Sequence, residues 1–281
     1  MESLLHPLTI RWLGQAARTP SGAYLFHGNP NHGKATAAKE LAALLNRNAH
    51  GYPYLTIVEL EDKASIGIEQ VRKLQSDLAL KTVRQAGQRV IMVDEAQKLT
   101  TEAQNALLKV IEEPPESTII ILVATDPERL LATVRSRTQA VYFPPLATPV
   151  IADYLTQHDG VPGHLATEIA ELSGGAIGLA RRMASDETEL ETYRRLDAVV
   201  EELLVAPIFT RLVTAKQLTD AKAPLGILVG RLQRRLQGEL REGSSDGGLQ
   251  LNRLEAIVRF WRRLEANVTP RLALESLLLE I

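Results

Sequence analysis

Residues 28–34, "GNPNHGK", place two glycines five positions apart with a lysine directly after the second. A turn so spaced, between a strand and a helix, lets backbone N–H groups surround phosphate oxygens, while the lysine and the helix N-terminus add positive charge. Gly28, Gly33 and Lys34 are therefore candidate phosphate-binding residues. The next position is Ala35, where such a loop normally offers a Ser or Thr hydroxyl to Mg²⁺. Thr36 stands one residue late, and one step along a helix turns the side chain by ~100°, so its hydroxyl is expected to point elsewhere. The frame of a nucleotide site is present and one part of its chemistry is missing.

Further along, "RVIMVDEAQ" ends an apolar run in Asp94 and Glu95. In nucleotide-hydrolysing α/β proteins an aspartate at a strand's carboxyl end meets the metal and the following glutamate polarises a water. Two acids closing a strand are also common on a solvated edge, and it is their coupling to the 28–34 loop that favours the nucleotide reading. Thr125 closes the next apolar run, where it could set a hydroxyl near a γ-phosphate or be an ordinary strand-end threonine. The segment "TVRSR" then carries Arg135 and Arg137. Arg135 reads as a solvated surface residue.

These residues need a scaffold, and the sequence supplies one. Between about residues 22 and 143, short β-rich runs alternate with helical patterns, the signature of a parallel sheet with crossover helices. The strand candidates are "AYLFHG" (23–28), "LTIVEL" (55–60), "RVIMVD" (89–94), "TIIILVAT" (118–125) and "AVYFPP" (140–145). In one helix, Thr101 and Gln104 have capping-box spacing, and Ala103, Ala106, Leu107, Val110 and Ile111 recur on one face. Pro114 and Pro115 end it. From about residue 148 the pattern is helical, punctuated by Gly174, Gly175, "MASDETEL" and "EGSSDGG" (242–248). The division that follows is an α/β domain over 1–147, a small helical domain over 148–186 and a second helical domain over 187–281.

Composition narrows the function classes. The 281 residues, 45% hydrophobic and 23% charged, suffice for a sizeable core. There are no cysteines, which excludes disulfides and thiolate zinc sites and fits a reducing compartment. No secretory signal is expected at the start, and the longest aliphatic run, 119–124, is far short of the ~20 residues a membrane helix needs. A cytoplasmic location with no membrane partner is expected. A net charge of −2 gives no overall pull toward nucleic acid. The arginine groups Arg231, Arg234, Arg235 and Arg259, Arg262, Arg263 could form a local DNA-binding patch, but adjoining apolar positions such as Leu232 and Leu236 read better as amphipathic helices with solvated polar faces.

The stretches "SIGIEQVRKL" (65–74), "VDEAQKLTTEAQNALLKVIEEPP" (93–115), "ATDPERLLATVRSR" (124–137) and "NVTPRLALESLLLEI" (267–281) resemble bacterial DNA polymerase III clamp-loader subunits, of the AAA+ class. Within that family the likeness is to the delta-prime subunit. The ATP-hydrolysing gamma/tau subunit has a hydroxyl residue after the loop lysine, where Ala35 stands here. It also has a lid arginine in a G-S-x-R-x-A pattern, where "GAIGLA" (175–180) puts Gly178 at the arginine's place.

The resemblance implies an AAA+ core, a three-helix lid and a helical collar that oligomerises. It implies gamma/tau and delta subunits as partners in a ring, with the sliding clamp and primed DNA reached through the complex. Ser136, Arg137 and Thr138 stand where the family has Ser-Arg-Cys, and that arginine reaches in trans into a neighbour's ATP site, so Arg137 is the expected finger. Lys34, Asp94, Glu95 and Thr125 would then belong to a degenerate site that holds ATP or ADP without splitting it, or no nucleotide at all. The segment 45–55 is too short for the family's zinc module and lacks cysteine, so no zinc is expected. The competing reading is an active gamma/tau-type or other AAA+ ATPase, for which Lys34, Asp94 and Glu95 speak.

Overall fold

The computed structural model describes residues 4–46, 55–59, 65–80, 88–241 and 247–281. Two compact units account for the chain, Met1–Arg182 and Met183–Ile281. The first contains, in order, α1 (Pro7–Ala16), β1 (Ala23–His27), α2 (Lys34–Leu45), β2 (Leu55–Val58), α3 (Ile68–Leu80), β3 (Arg89–Val93), α4 (Thr101–Glu112), β4 (Thr118–Ala124), α5 (Ala132–Arg135), β5 (Gln139–Tyr142), α6 (Thr148–His158), α7 (Gly163–Ser173) and most of α8 (Ile177–Ser185).

The five strands form one sheet in the order β2-β3-β4-β1-β5, and every pairing is parallel. Alternation along the strands explains how it is buried. Leu25, Ile91, Val93, Ile120 and Leu122 point to one face and pack with Val71 and Leu74 of α3 and Leu107 of α4. Tyr24, Phe26, Met92, Ile121 and Val123 point to the other and pack with Leu13 of α1 and Ala38 and Leu41 of α2. Central β4 is buried at all seven positions, which is why it reads as one unbroken aliphatic run. Truncating Ile120 to alanine there would cost about 2–5 kcal/mol.

Because β3, β4 and β1 are neighbours, the residues that follow them, Asp94, Thr125 and Gly28, emerge side by side at the carboxyl edge of the sheet. Ligand sites of open parallel sheets form at that edge.

The strands are slightly shorter than the apolar runs suggest. Gly28, Asp94 and Thr125 each lie just beyond a strand, β5 runs from Gln139 to Tyr142, and Leu60 falls outside the described residues. The cap of α4 also differs. Thr100, not Thr101, accepts from Ala103 N at 3.2 Å. Gln104 is 3% exposed and forms no capping box, because its amide donates to Leu99 O and Arg129 O and accepts from Leu131 N at 2.7 Å. Only Thr101 has the box spacing to Gln104, and with the Gln104 side chain committed to Leu99, Arg129 and Leu131 the helix is capped one residue earlier, by Thr100.

Helices α6 and α7 pack against each other, with Ile151, Leu155, Ala166 and Ile169 buried. Gly174 ends α7 in the left-handed region at φ 60°.

In the second unit, Asp186 caps α9 (Glu187–Val205) by accepting from Thr188 N and Glu189 N. α10 (Ile208–Asp220), α11 (Leu225–Arg241), α12 (Gly247–Glu265) and α13 (Pro270–Glu280) follow. Their core joins Leu196, Val200, Leu232, Leu236, Phe260 and Leu277. Arg211 secures the end of α9, donating to Leu204 O and Ala206 O, and also to Leu278 O. Of the loop expected at 242–248, residues 242–246 lie outside the described residues and 247–248 already belong to α12.

The arginine groups of this unit largely face acids. Arg231 pairs with Asp197, Arg235 with Glu201 and Glu239, and Arg259 and Arg263 with Glu280. Such pairing offsets the positive charge that a DNA surface needs. Among the described residues no helix is long and apolar enough to cross a membrane.

Candidate functional site

The 28–34 loop takes its shape from three left-handed residues. Gly28 has φ 141°, and a Cβ there would sit 2.6 Å from the carbonyl oxygen of Phe143, so only glycine fits between β1 and the chain leaving β5. Asn31 has φ 62° and Gly33 φ 83°, after which α2 starts at Lys34 with no side-chain cap. The α2 N-terminus thus opens toward the loop.

Lys34 is 6% exposed and folds back, its Nζ donating to Gly28 O at 2.7 Å and Asn29 O at 2.6 Å. Burial pushes its pKa down to about 8, and the charge of Asp94 opposes that shift. Burial and the nearby Lys34 charge likewise lower the pKa of His27.

Asp94 accepts from Glu95 N at 2.9 Å, which sets the turn leaving β3. Glu95 sits at φ 49° and its carboxylate pairs with Lys98 at 2.8 Å. Thr125 is tied to the same turn, its N–H donating to Gln97 Oε1 at 3.2 Å. Gly33, Lys34, Asp94, Glu95 and Thr125 line one cleft of about 410 Å³. Gly28 shapes the loop from behind.

Ala35 and Thr36 also line the cleft. Thr36, one residue beyond Ala35, therefore borders the cleft from the first turn of α2. At the magnesium-binding position itself stands a methyl group. Among the described residues no three His, Asp or Glu side chains converge as a metal site. The residues present fit a phosphate better than a metal: a turn of left-handed residues, a helix N-terminus and a buried ammonium.

The far wall comes from the helices after β5. Gly178, in the first turn of α8, donates its N–H to Asn31 O at 3.1 Å, and a Cβ on it would lie 3.3 Å from both Asn31 O and Asn31 Cβ. One turn on, Arg182 Nη1 donates to Asn31 Oδ1 at 3.0 Å. Arg181 lines the cleft with Tyr154, its guanidinium bonded twice to Asp159 and lying 5.9 Å from the Tyr154 ring centroid. The Asp159 hydrogen bond, followed by the Asp159 charge, raises the Arg181 pKa. Leu146 N bonds Gly175 O at 3.0 Å, anchoring these helices to the chain after β5.

Sequence reasoning singled out Gly178 but not Tyr154, Asp159 or Arg181. The available signal was the spacing, since Arg181 is one helical turn from Gly178.

Arg137 does not line this cleft. It follows the four-residue α5, where its Nε pairs with Glu112 and its Nη1 donates to Thr133 O at 3.2 Å and to Ser136 Oγ at 3.4 Å. Arg135 is directed to a different acid, Glu128. The part of the segment 45–55 considered for zinc lies, over 47–54, outside the described residues.

Residues 14–147 match the family described as DNA polymerase III, delta subunit. The gamma/tau subunit of Mycobacterium tuberculosis (strain ATCC 25618 / H37Rv) is 36% identical over 162 residues, covering 50% of this chain and 28% of that one. The delta' subunit of Bacillus subtilis (strain 168) is 32% identical over 184 residues, 59% of this chain and 55% of that one. The delta' subunit of Escherichia coli (strain K12) is 32% identical over 157 residues, 56% and 46%. The match therefore spans 28% to 55% of these relatives' own length. Among solved structures, the RuvB Holliday junction branch migration motor of Thermotoga maritima aligns with a TM-score of 0.51 at 15% identity, over 85% of this chain and 78% of that one. That likeness concerns the fold alone, a parallel α/β core followed by helices. Its sequence matches, over 50% to 59% of the chain, thus make it similar to bacterial DNA polymerase III subunits of both the gamma/tau and the delta' kind.

Proposed function

We propose that this chain is a non-hydrolysing subunit of a DNA polymerase III clamp-loader complex, acting with gamma/tau and delta subunits to place the sliding clamp on primed DNA. In this reading the three-part division into core, lid (148–186) and oligomerising collar (187–281) serves ring assembly, in the cytoplasm. Gly28, Gly33, Lys34, Asp94, Glu95 and Thr125 frame a degenerate nucleotide site that holds ATP or ADP at most. Arg137 serves the ATP site of a neighbouring subunit, where a guanidinium stabilises charge on the transferred phosphate.

The observation that carries the reading is the contact of Gly178 with Asn31, because any side chain at 178 would start 3.3 Å from Asn31 and the loop would have to give by a few tenths of an ångström to admit an arginine. Ala35 adds a second lost part of hydrolysis. A gamma/tau-type ATPase is favoured instead by the gathering of Lys34, Asp94, Glu95 and Thr125 in one cleft and by the 36% identity to a gamma/tau chain.

The two part company in one experiment. The purified chain is assayed for Mg²⁺-dependent ATP hydrolysis alone, then after co-purification with gamma/tau and delta subunits. No turnover alone, with DNA-stimulated turnover by the assembly that depends on adding this chain, supports the first reading. Robust turnover by the chain alone supports the second.

A further inference from the structure

The guanidinium of Arg137 is held from one side. Its Nε edge meets the carboxylate of Glu112, the last residue of α4, and Nη1 reaches Thr133 O and Ser136 Oγ. Nη2 has no partner among the described residues. The backbones that carry the two side chains are fixed relative to each other. Val110 and Ile111 of α4 lie in the same buried cluster as Leu130 and Val134, which set α5.

Arg137 is 42% exposed and Glu112 46%. A pair so solvated contributes little to folding, so its effect lies in where the arginine points. An unpaired arginine on a surface samples many rotamers, and each must be given up before it can bind a phosphate. Restraining Nε while leaving the Nη2 side open presents the planar donor edge that matches phosphate oxygens.

We propose that Glu112 is a positioning residue for Arg137, holding the Nε side of the guanidinium so that its Nη edge is presented to the phosphate chain of a nucleotide on a neighbouring subunit. This rests on the reading of Arg137 as a trans-acting finger. Glu112 touches neither nucleotide nor metal.

The test uses the reconstituted complex with ATP and primed DNA, and compares Glu112→Ala, Glu112→Gln, Arg137→Ala and the double variant Glu112→Ala/Arg137→Ala. Glu112→Ala should remove most of the turnover that Arg137→Ala removes, equivalent to a loss on the order of tenfold at that one site. The KM for ATP should not change. Glu112→Gln should restore part of the loss, since its amide oxygen can still lie against Nε although the charge is gone. In the Arg137→Ala background, Glu112→Ala should have no further effect, and melting of the isolated chain should be unaltered in every variant.

An equal loss from Glu112→Ala in both backgrounds would overturn the proposal, as would wild-type turnover in Glu112→Ala beside a clear defect in Arg137→Ala. Wild-type turnover in Arg137→Ala itself would instead remove the finger reading beneath it.

Discussion

The amide of Gly178 donates to the carbonyl of Asn31 at 3.1 Å, joining the first turn of α8 to the left-handed residue in the middle of the 28–34 loop. The approach is close enough that a methyl group at 178 would meet Asn31 at 3.3 Å. Gly178→Ala should therefore fail to give the ~1 kcal/mol gain that alanine usually brings to a helix. Gly178→Arg should cost about 1–3 kcal/mol through overpacking and should not create ATP turnover. Thermal melts and an Mg²⁺-ATP assay check both. An arginine variant as stable as the parent would show that the loop and α8 separate easily, and the argument from close approach would fail.

Lys34 carries the pH dependence of the site. Its folded-state pKa of about 8 lies below the ordinary 10.5 because the ammonium is buried. The folded state therefore resists protonation, and the resulting destabilisation is fully present below about pH 8. It is relieved as pH rises from there toward the unfolded value, so this residue makes stability increase over that interval. Binding of an anion runs the other way, because only the protonated form attracts phosphate. Pyrophosphate or ATP affinity should weaken about tenfold per pH unit above 8. Lys34→Met should abolish both trends, and calorimetric titration and melting across that range measure them.

Gln104 links the sheet's carboxyl edge to the finger segment. Its side chain satisfies Leu99 O, Arg129 O and Leu131 N, and Leu131 immediately precedes α5. Gln104→Leu removes the side-chain partner of these buried and partly buried groups, at about 1–3 kcal/mol each where water cannot replace the bond. A destabilisation of about 2–4 kcal/mol is expected by urea unfolding. Faster amide exchange at Leu131 should accompany it, since the N–H loses its acceptor. A loss below about 0.5 kcal/mol would mean that water fills the site.

The scaffold was readable because burial writes directly into residue type. Unbroken aliphatic runs became β3 and β4, and the glycine spacing at 28 and 33 became the turn it suggested. Glu112 was not readable as the partner of Arg137, since nothing in the linear pattern pairs residues on α4 and beyond α5. The same holds for the arginines of α11 and α12, whose acids on α9 and α13 lie 17 to 34 positions away in sequence. Gly178 was noticed as a missing arginine. That it also lies close against Asn31 depends on how α8 approaches the loop, which no local periodicity encodes. Thr101 shows the limit of a motif: it has the box spacing to Gln104, yet Thr100 caps the helix while Gln104 bonds to Leu131 N in a buried network.

Arg137→Ala separates the chain's own cleft from the site next door. Because Arg137 does not line the cleft that holds Lys34, the isolated variant should bind nucleotide, or fail to, as the parent does. Its folding should change by no more than about 0.5 kcal/mol, since the pair it loses with Glu112 is largely solvated. In the assembled complex, DNA-stimulated hydrolysis should fall at one site, where fingers of this kind are worth on the order of 10³ to 10⁵ in rate. Other active sites dilute that deficit, so the whole-complex loss should be far smaller and should appear in kcat rather than in assembly. Single-turnover kinetics should resolve it as one missing phase of the burst. Unaltered burst amplitude and clamp loading would place the stimulating cation elsewhere on the chain.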